Sequence, residues 1–272
     1  MLSNTGIPLL GIGTFPLTDT EVQRAVITAI EVGFRHIDTA QMYGNEKQVG
    51  KAIRTAGVPR PELYVVTKVD PGNLAASRFK SSVEKSIADL GSPADLLLIH
   101  WPPADAEIEA AIDRLAEAHA AGLAKNIGIS NFPTRLMRQA AQRSPVKLIN
   151  NQVEFHALID QGAVLAQARA LGMTLSAYCP LGRGMVMKDA VIQEIAARHG
   201  RPPSEVALRW IIQQGVAAIP MTTKRDNAIS NFSTLSFTLP DEDMAAISAR
   251  SIQNKRLISP SWMRGRWDNE TA

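Results

Sequence analysis

Asp38, Tyr43, Lys68 and His100 are four chemically distinct residues, and each stands at or just beyond the end of a short apolar run. Asp38 closes the run at 34–39, with Tyr43 in the segment after it; Lys68 closes 63–69 and His100 closes 95–101. An ammonium beside a phenol favours the phenolate, so Lys68 near Tyr43 is expected to lower the phenol from its ordinary pKa of about 10. Asp38 would hold that lysine in place. A phenol tuned in this way delivers a proton to a carbonyl oxygen as negative charge develops there, while a histidine N–H orients the same oxygen. The chemistry implied is carbonyl reduction.

Each residue also has a blander role open to it. Asp38 suits a helix cap, Lys68 a rim charge, His100 a satisfied interior histidine, and Tyr43, just before Gly44, a packed turn. The chain has only three tyrosines, and two of them, Tyr43 and Tyr178, fall at run ends. Four such coincidences favour the chemical reading.

That reading requires elements that bring the run ends together. Eight apolar runs, at 8–14, 34–39, 63–69, 95–101, 126–131, 148–155, 174–180 and 216–222, alternate with stretches of helical spacing. The helical stretches include 20–32, 75–90, 107–121, 134–142, 161–171 and 204–214. Gly91, Gly122, Gly172 and Gly215 stand where helices should stop. The alternation means βα units, and eight of them in 272 residues leave each room for a strand, a helix and two short loops. No Gly-, Ser- or Pro-rich linker divides the chain. The expected architecture is α/β, a single (β/α)8 TIM barrel over residues 1–272, with an extra helix at 190–199 and a short tail from about 251. A doubly wound open sheet is the alternative, and eight units without a second domain favour closure. In a barrel all C-terminal strand ends share one mouth. That mouth would also gather Ser130, Asn131, Gln152, Tyr178 and the run Thr222, Thr223, Lys224 and Arg225.

Composition excludes several other functions. With 45% hydrophobic and 20% charged residues the chain is globular, and 29 basic against 26 acidic residues give too small a net charge for a nucleic-acid groove. The slight positive balance suits an anionic small molecule. Cys179, the sole cysteine, excludes an internal disulfide and fits a reducing cytoplasm. No apolar run approaches the roughly 18 residues of a membrane span, and the N-terminus lacks a basic leader region. A closed barrel with outer amphipathic helices needs no partner, so a monomer is expected. The GIG at 11–13 is only a fragment of a dinucleotide fingerprint, and GIS at 128–130 lacks the closing Gly of a nucleophile elbow. The five histidines show no metal-ligand spacing, so no metal is expected.

The runs GFRHIDTA at 33–40, YGNE at 43–46, VTK at 66–68, LLIHWP at 97–102, IGISNF at 127–132 and NQVE at 151–154 resemble the aldo-keto reductase family. The resemblance spans almost the whole chain. It implies a catalytic tetrad of Asp38, Tyr43, Lys68 and His100, with Tyr43 as proton donor. It also implies NADPH across the mouth, with Ser130, Asn131 and Gln152 holding the carboxamide and Tyr178 stacking on the nicotinamide. Further cofactor contacts would come from Thr14, Leu181, Gly182, Pro220, Thr222, Thr223, Lys224, Arg225 and Asn231, and substrate contacts from Phe15, Met42 and Trp101. Lys224 and Arg225 would read the adenosine 2′-phosphate. Within the family, residues 57–60, 223–225 and 256–260 look closest to the bacterial 2,5-diketo-D-gluconate reductase branch, which implies small carbonyl substrates such as keto-sugar acids and methylglyoxal-type dicarbonyls.

Some positions depart from the family pattern. Met221 and Asn227 stand where many members carry Lys and Arg, and Asp70 stands where a pocket tryptophan is common. Cys179 replaces a common Ser and is expected to be a buried neighbour of Tyr178. The short segment after Trp101 and the short tail imply an open pocket suited to small polar substrates. The same fold also serves as a cofactor-binding regulatory or sensor subunit with little turnover. The complete tetrad favours the enzyme.

Overall fold

The computed structural model describes residues 1–268; residues 269–272 of the expected tail lie outside the described residues. Eight parallel strands follow one another around a sheet: β1 (Gly11–Gly13), β2 (His36–Asp38), β3 (Tyr64–Val69), β4 (Leu96–Ile99), β5 (Ile127–Ser130), β6 (Leu148–Glu154), β7 (Thr174–Tyr178) and β8 (Ala217–Ala218). Ala218 bridges Leu10 in parallel, its N–H donates to Leu9 O at 2.9 Å, and Gly13 N donates to Pro220 O at 3.0 Å. The last strand therefore bonds to the first, as a (β/α)8 barrel requires and an open sheet does not. Each strand falls inside one of the expected runs, and all eight are shorter. Phe34 and Trp101 are buried outside the strands, because apolar sequence reports burial whereas a ladder also needs a bonded neighbour.

Ten α-helices are present among the described residues: α1 (Asp19–Val32), α2 (Glu46–Thr55), α3 (Ala76–Leu90), α4 (Ile108–Ala120), α5 (Thr134–Arg143), α6 (Gly162–Ala170), α7 (Ala190–His199), α8 (Pro203–Gln213), α9 (Arg225–Ser233) and α10 (Asp241–Ser248). In α1 the buried residues are Val22, Ala25, Val26, Ala29 and Ile30, the three-and-four spacing that turns one stripe to the sheet. The extra helix is α7, opened by Asp189, whose carboxylate accepts Val191 N at 3.1 Å. Helices α9 and α10 come from short, polar stretches that carry little apolar period, α9 burying only Ala228 and Asn231, whereas α2 is short and polar but turns Val49, Ala52 and Ile53 inward at three-and-four spacing. Gly91 ends α3 at φ 82° and donates to Ile87 O at 2.8 Å. Gly50 in α2 has a different task. A Cβ there would lie 2.2 Å from Asp89 O, so only glycine lets α2 rest on the end of α3.

The tail adds one residue, Ile258, to the cavity wall. Its residues Met263 and Trp267 pack with Trp101, and Ile258 against them, in a small apolar cluster separate from the main core. No helix among the described residues is long and apolar enough to cross a membrane.

Candidate active site

The four residues singled out for chemistry come together at the C-terminal strand ends. Lys68, fully buried on β3, sends Nζ to Asp38 Oδ1 at 2.6 Å, Thr39 O at 2.9 Å and the Tyr43 hydroxyl at 3.5 Å. An ammonium has three donors, and these contacts account for all of them. Asp38 uses its other oxygen to accept Gln152 Nε2 at 2.7 Å. His100 meets the Tyr43 ring edge-on, with centroids 5.6 Å apart.

Tyr43 is on a short 3-10 turn, Gln41–Tyr43, that several bonds hold against the barrel. Gln41 Oε1 accepts Asp70 N at 3.0 Å and Asn73 Nδ2 at 2.9 Å, while its Nε2 donates to Ser86 Oγ at 3.1 Å. Behind the turn, Asn45 Nδ2 donates to Leu17 O at 2.8 Å and Asn45 Oδ1 accepts Thr39 Oγ1 at 2.7 Å. Glu46 accepts Thr67 Oγ1 at 2.5 Å and Ser86 Oγ at 3.0 Å. The YGNE run thus locks the loop to β3, beside Lys68.

The electrostatics correct one expectation. Burial pushes the Tyr43 phenol above its ordinary pKa; Lys68 pulls it down as foreseen, and Asp38 raises it again. Desolvation penalises the phenolate more than one already neutralised ammonium favours it. Burial alone would lower Lys68, but Asp38 and Tyr43 overcome it and hold the ammonium above its ordinary value. His100 is driven well below the usual imidazole range by burial and then by Lys68. At neutral pH the cluster therefore holds a protonated phenol, an ammonium and a neutral imidazole. The phenol can give a proton and the imidazole can donate one hydrogen bond.

A cavity of about 810 Å³ opens above this cluster, lined by Asp38, Tyr43 and His100 at one end. Phe15, Met42 and Trp101 line it as expected of substrate contacts, Phe15 and Met42 being largely exposed. Thr14, Asn131, Gln152, Tyr178, Leu181 and Pro220 also reach it. Tyr178 donates its hydroxyl to Asn131 Oδ1 at 2.7 Å, and Asn131 Nδ2 donates to His100 O at 3.0 Å. Ser130 and Gly182 stand back from the wall: Ser130 Oγ donates to Gln152 O at 2.8 Å, and Gly182 N to Cys179 O at 2.8 Å.

Thr222, Thr223, Lys224 and Arg225 do not line this cavity; they lead into the N-terminus of α9, which also buries Asn231. Lys224 N donates to Thr222 Oγ1 at 3.1 Å. Both cations are exposed, and Arg225 Nη1 stands 2.6 Å from Glu31 Oε2. Asp70 caps the turn after β3, accepting Gly72 N at 2.6 Å, and leaves the wall without an aromatic ring from that position.

Several wall residues lie outside the sequence reading, Cys179, Arg183 and Ile258 among them. Cys179 is a half-buried wall residue, because its backbone turns left-handed at φ 48° and carries the thiol to the cavity. Burial and Glu154 push that thiol's pKa up. Arg183 and Ile258 line the cavity without having been singled out. Arg183 directly follows Leu181 and Gly182 and has its own left-handed φ of 50°, so the flanking glycines were a usable signal. Nothing local marks Ile258.

Residues 6–252 match the model of the Aldo/keto reductase family. Over 266 residues the chain is 41% identical to methylglyoxal reductase DkgB of Escherichia coli O157:H7, covering 96% of this chain and 99% of that one. A crystal structure named for 2,5-diketo-D-gluconic acid reductase B superposes with a TM-score of 0.94 at 41% identity, covering 98% of this chain and 96% of the other. The aldose reductase of Schistosoma japonicum superposes with a TM-score of 0.92 at 27% identity, covering 100% and 99%.

Proposed function

This chain belongs to the aldo/keto reductase family and is an oxidoreductase acting on carbonyl groups, and from that premise we propose an NADPH-dependent reductase of small aldehydes and ketones, dicarbonyls and keto-sugar acids among them. The observation that carries the reading is the contact order Asp38, Lys68, Tyr43, His100 at the cavity end. A carbonyl oxygen seated between the Tyr43 hydroxyl and the His100 ring would receive a hydrogen bond from each. As charge builds on that oxygen, Tyr43 gives up its proton, and Lys68 favours the phenolate left behind. Asp38, braced by Gln152, keeps the ammonium in place throughout.

The cavity wall fits a nicotinamide. Tyr178 offers a ring that its bond to Asn131 holds still, with Leu181 and Pro220 alongside and the amides of Asn131 and Gln152 at the edge. Asn131, Gln152, Thr14 and Tyr178 would hold the nicotinamide end, with Ser130 behind them. Lys224 and Arg225, at the start of α9, would take the 2′-phosphate. When bound, the reduced cofactor supplies the hydride that the chain itself lacks. The reading carries a monomer in a reducing cytoplasm, where Cys179 stays a thiol.

The test mixes the protein with NADPH and methylglyoxal and follows loss of the reduced-nicotinamide absorbance. Steady turnover with NADPH, and slower turnover with NADH, is the expected result. Absence of turnover with methylglyoxal, keto-sugar acids and simple aldehydes alike would replace the enzyme by a cofactor-binding subunit.

A further inference from the structure

We propose that Glu154 is a positioning residue for the substrate side of the cavity: its buried carboxylate clamps the backbone of the C-terminal tail and so sets where Ile258 stands. The proposal rests on the reductase reading for its kinetic consequence, though not for the clamp itself.

Glu154 is the last residue of β6 and is fully buried. A carboxylate out of water survives only where donors surround it. Here the donors come from two places. Leu257 N reaches Oε1 at 2.7 Å and Ile258 N reaches Oε2 at 2.8 Å, so two successive backbone amides of the tail are held by the two oxygens of one side chain. His156 Nε2 meets Oε1 at 3.0 Å. Because His156 Nδ1 accepts Leu158 N at 3.2 Å, the ring proton sits on Nε2, and the histidine is a neutral donor to the carboxylate. Both Glu154 oxygens are therefore acceptors toward these three donors.

The clamp acts at a sensitive point. Glu154 does not line the cavity, but Ile258 does. Just upstream, Lys255 N donates to Leu158 O at 2.7 Å. Just downstream, Ser259 Oγ accepts Trp267 Nε1 at 3.0 Å, and Trp267 and Trp262 each meet Trp101 edge-on at 6.3 Å. The apolar cluster under the tail is separate from the barrel core. A segment that shares so little of the main core opens at lower free energy than the barrel, so polar ties such as this one decide where its backbone rests. Substrate that touches Ile258 and Trp101 thereby depends on a carboxylate it never meets.

The test compares the wild type with Glu154→Gln and Ile258→Ala, using NADPH with methylglyoxal and with phenylglyoxal, whose ring would reach the wall. A glutamine turns an N–H toward one of the two amides, donor against donor. In Glu154→Gln we expect KM for phenylglyoxal to rise about tenfold, with kcat and NADPH affinity within about twofold of wild type. Amide hydrogen exchange at Leu257 and Ile258 should quicken. Ile258→Ala should raise the same KM, and the double variant should lose no more than the larger single effect, since both act through one wall.

A glutamine variant whose tail amides exchange as slowly as the wild type overturns the clamp, as does a loss confined to kcat or to NADPH affinity. Exchange needs no turnover, so a wild type inactive on both substrates would end the reductase reading while the clamp is still judged. Should Glu154→Gln fail to fold, Ile258→Ala decides: an unchanged phenylglyoxal KM overturns the proposal.

Discussion

The Lys68 ammonium stands 3.5 Å from the Tyr43 hydroxyl but 2.6 Å from Asp38, so its charge is met by a carboxylate before it reaches the phenol. This order of contact explains why Lys68 pulls the Tyr43 pKa down and yet the phenol ends above its ordinary value, with burial the largest cause. A phenol that keeps its proton through the neutral range is poised to give one to a reduced carbonyl.

Tyr43→Phe keeps the ring against Phe15 and His100 but removes the proton. Turnover should fall by about 10²-fold to 10⁴-fold, the loss typical of a missing general acid. NADPH affinity, read by fluorescence titration, should stay within about twofold. Near-normal turnover in this variant would transfer the acid role to another group.

Reduction needs protonated Tyr43, so with a raised pKa the rate should hold from pH 7 to about 9 and fall only beyond the ordinary phenol value of 10.0. Lys68→Met removes the main influence that lowers the phenol, so the plateau should drop and the alkaline fall move to still higher pH. Breaking a buried ion pair costs about 3–5 kcal/mol. The profile of log kcat against pH is therefore taken where circular dichroism shows the variant folded. A shift to lower pH would contradict the assignment.

Acid should destabilise the fold through His36 and His100, both held below the ordinary imidazole value of 6.5 by burial first. Above that value both the folded and unfolded chains carry them neutral. As pH falls below it, the unfolded chain binds protons that the folded chain refuses, and stability drops by up to about 1.4 kcal/mol per pH unit for each ring. Urea midpoints at pH 7.5, 6.5 and 5.5 measure this. His36→Asn should flatten the slope; an unchanged slope would remove His36 from the account.

Cofactor choice should depend on Lys224 and Arg225. Replacing both with Ala is expected to weaken NADPH binding by about a hundredfold or more, at about 1.5–3 kcal/mol for each charge-assisted bond. NADH binding should barely change. Arg225 is already paired with exposed Glu31, so Glu31→Gln should strengthen NADPH binding slightly and most visibly at low salt. Equal weakening of both cofactors in the double variant would show that the loop holds adenosine without reading the phosphate.

The sequence by itself determined the barrel and the grouping of Asp38, Tyr43, Lys68 and His100 at its mouth. Eight apolar runs spaced for βα units leave little choice of topology, and the mouth residues follow from where those runs end. Helix stops such as Gly91 were equally plain, because a left-handed backbone at φ 82° favours the one residue without a Cβ. Tertiary structure alone decided the quantities that depend on distance and burial. Whether Lys68 or desolvation governs Tyr43 turns on how much water the fold removes around the phenol, which no run of residues records. Cys179 reaches the cavity through a backbone turn, and Arg225 meets Glu31 across 194 positions of chain. The clamp of Glu154 on Leu257 and Ile258 closes over more than 100 residues. Such contacts lie outside any local pattern, because periodicity reports which face of an element is buried and says nothing of what arrives to cover it.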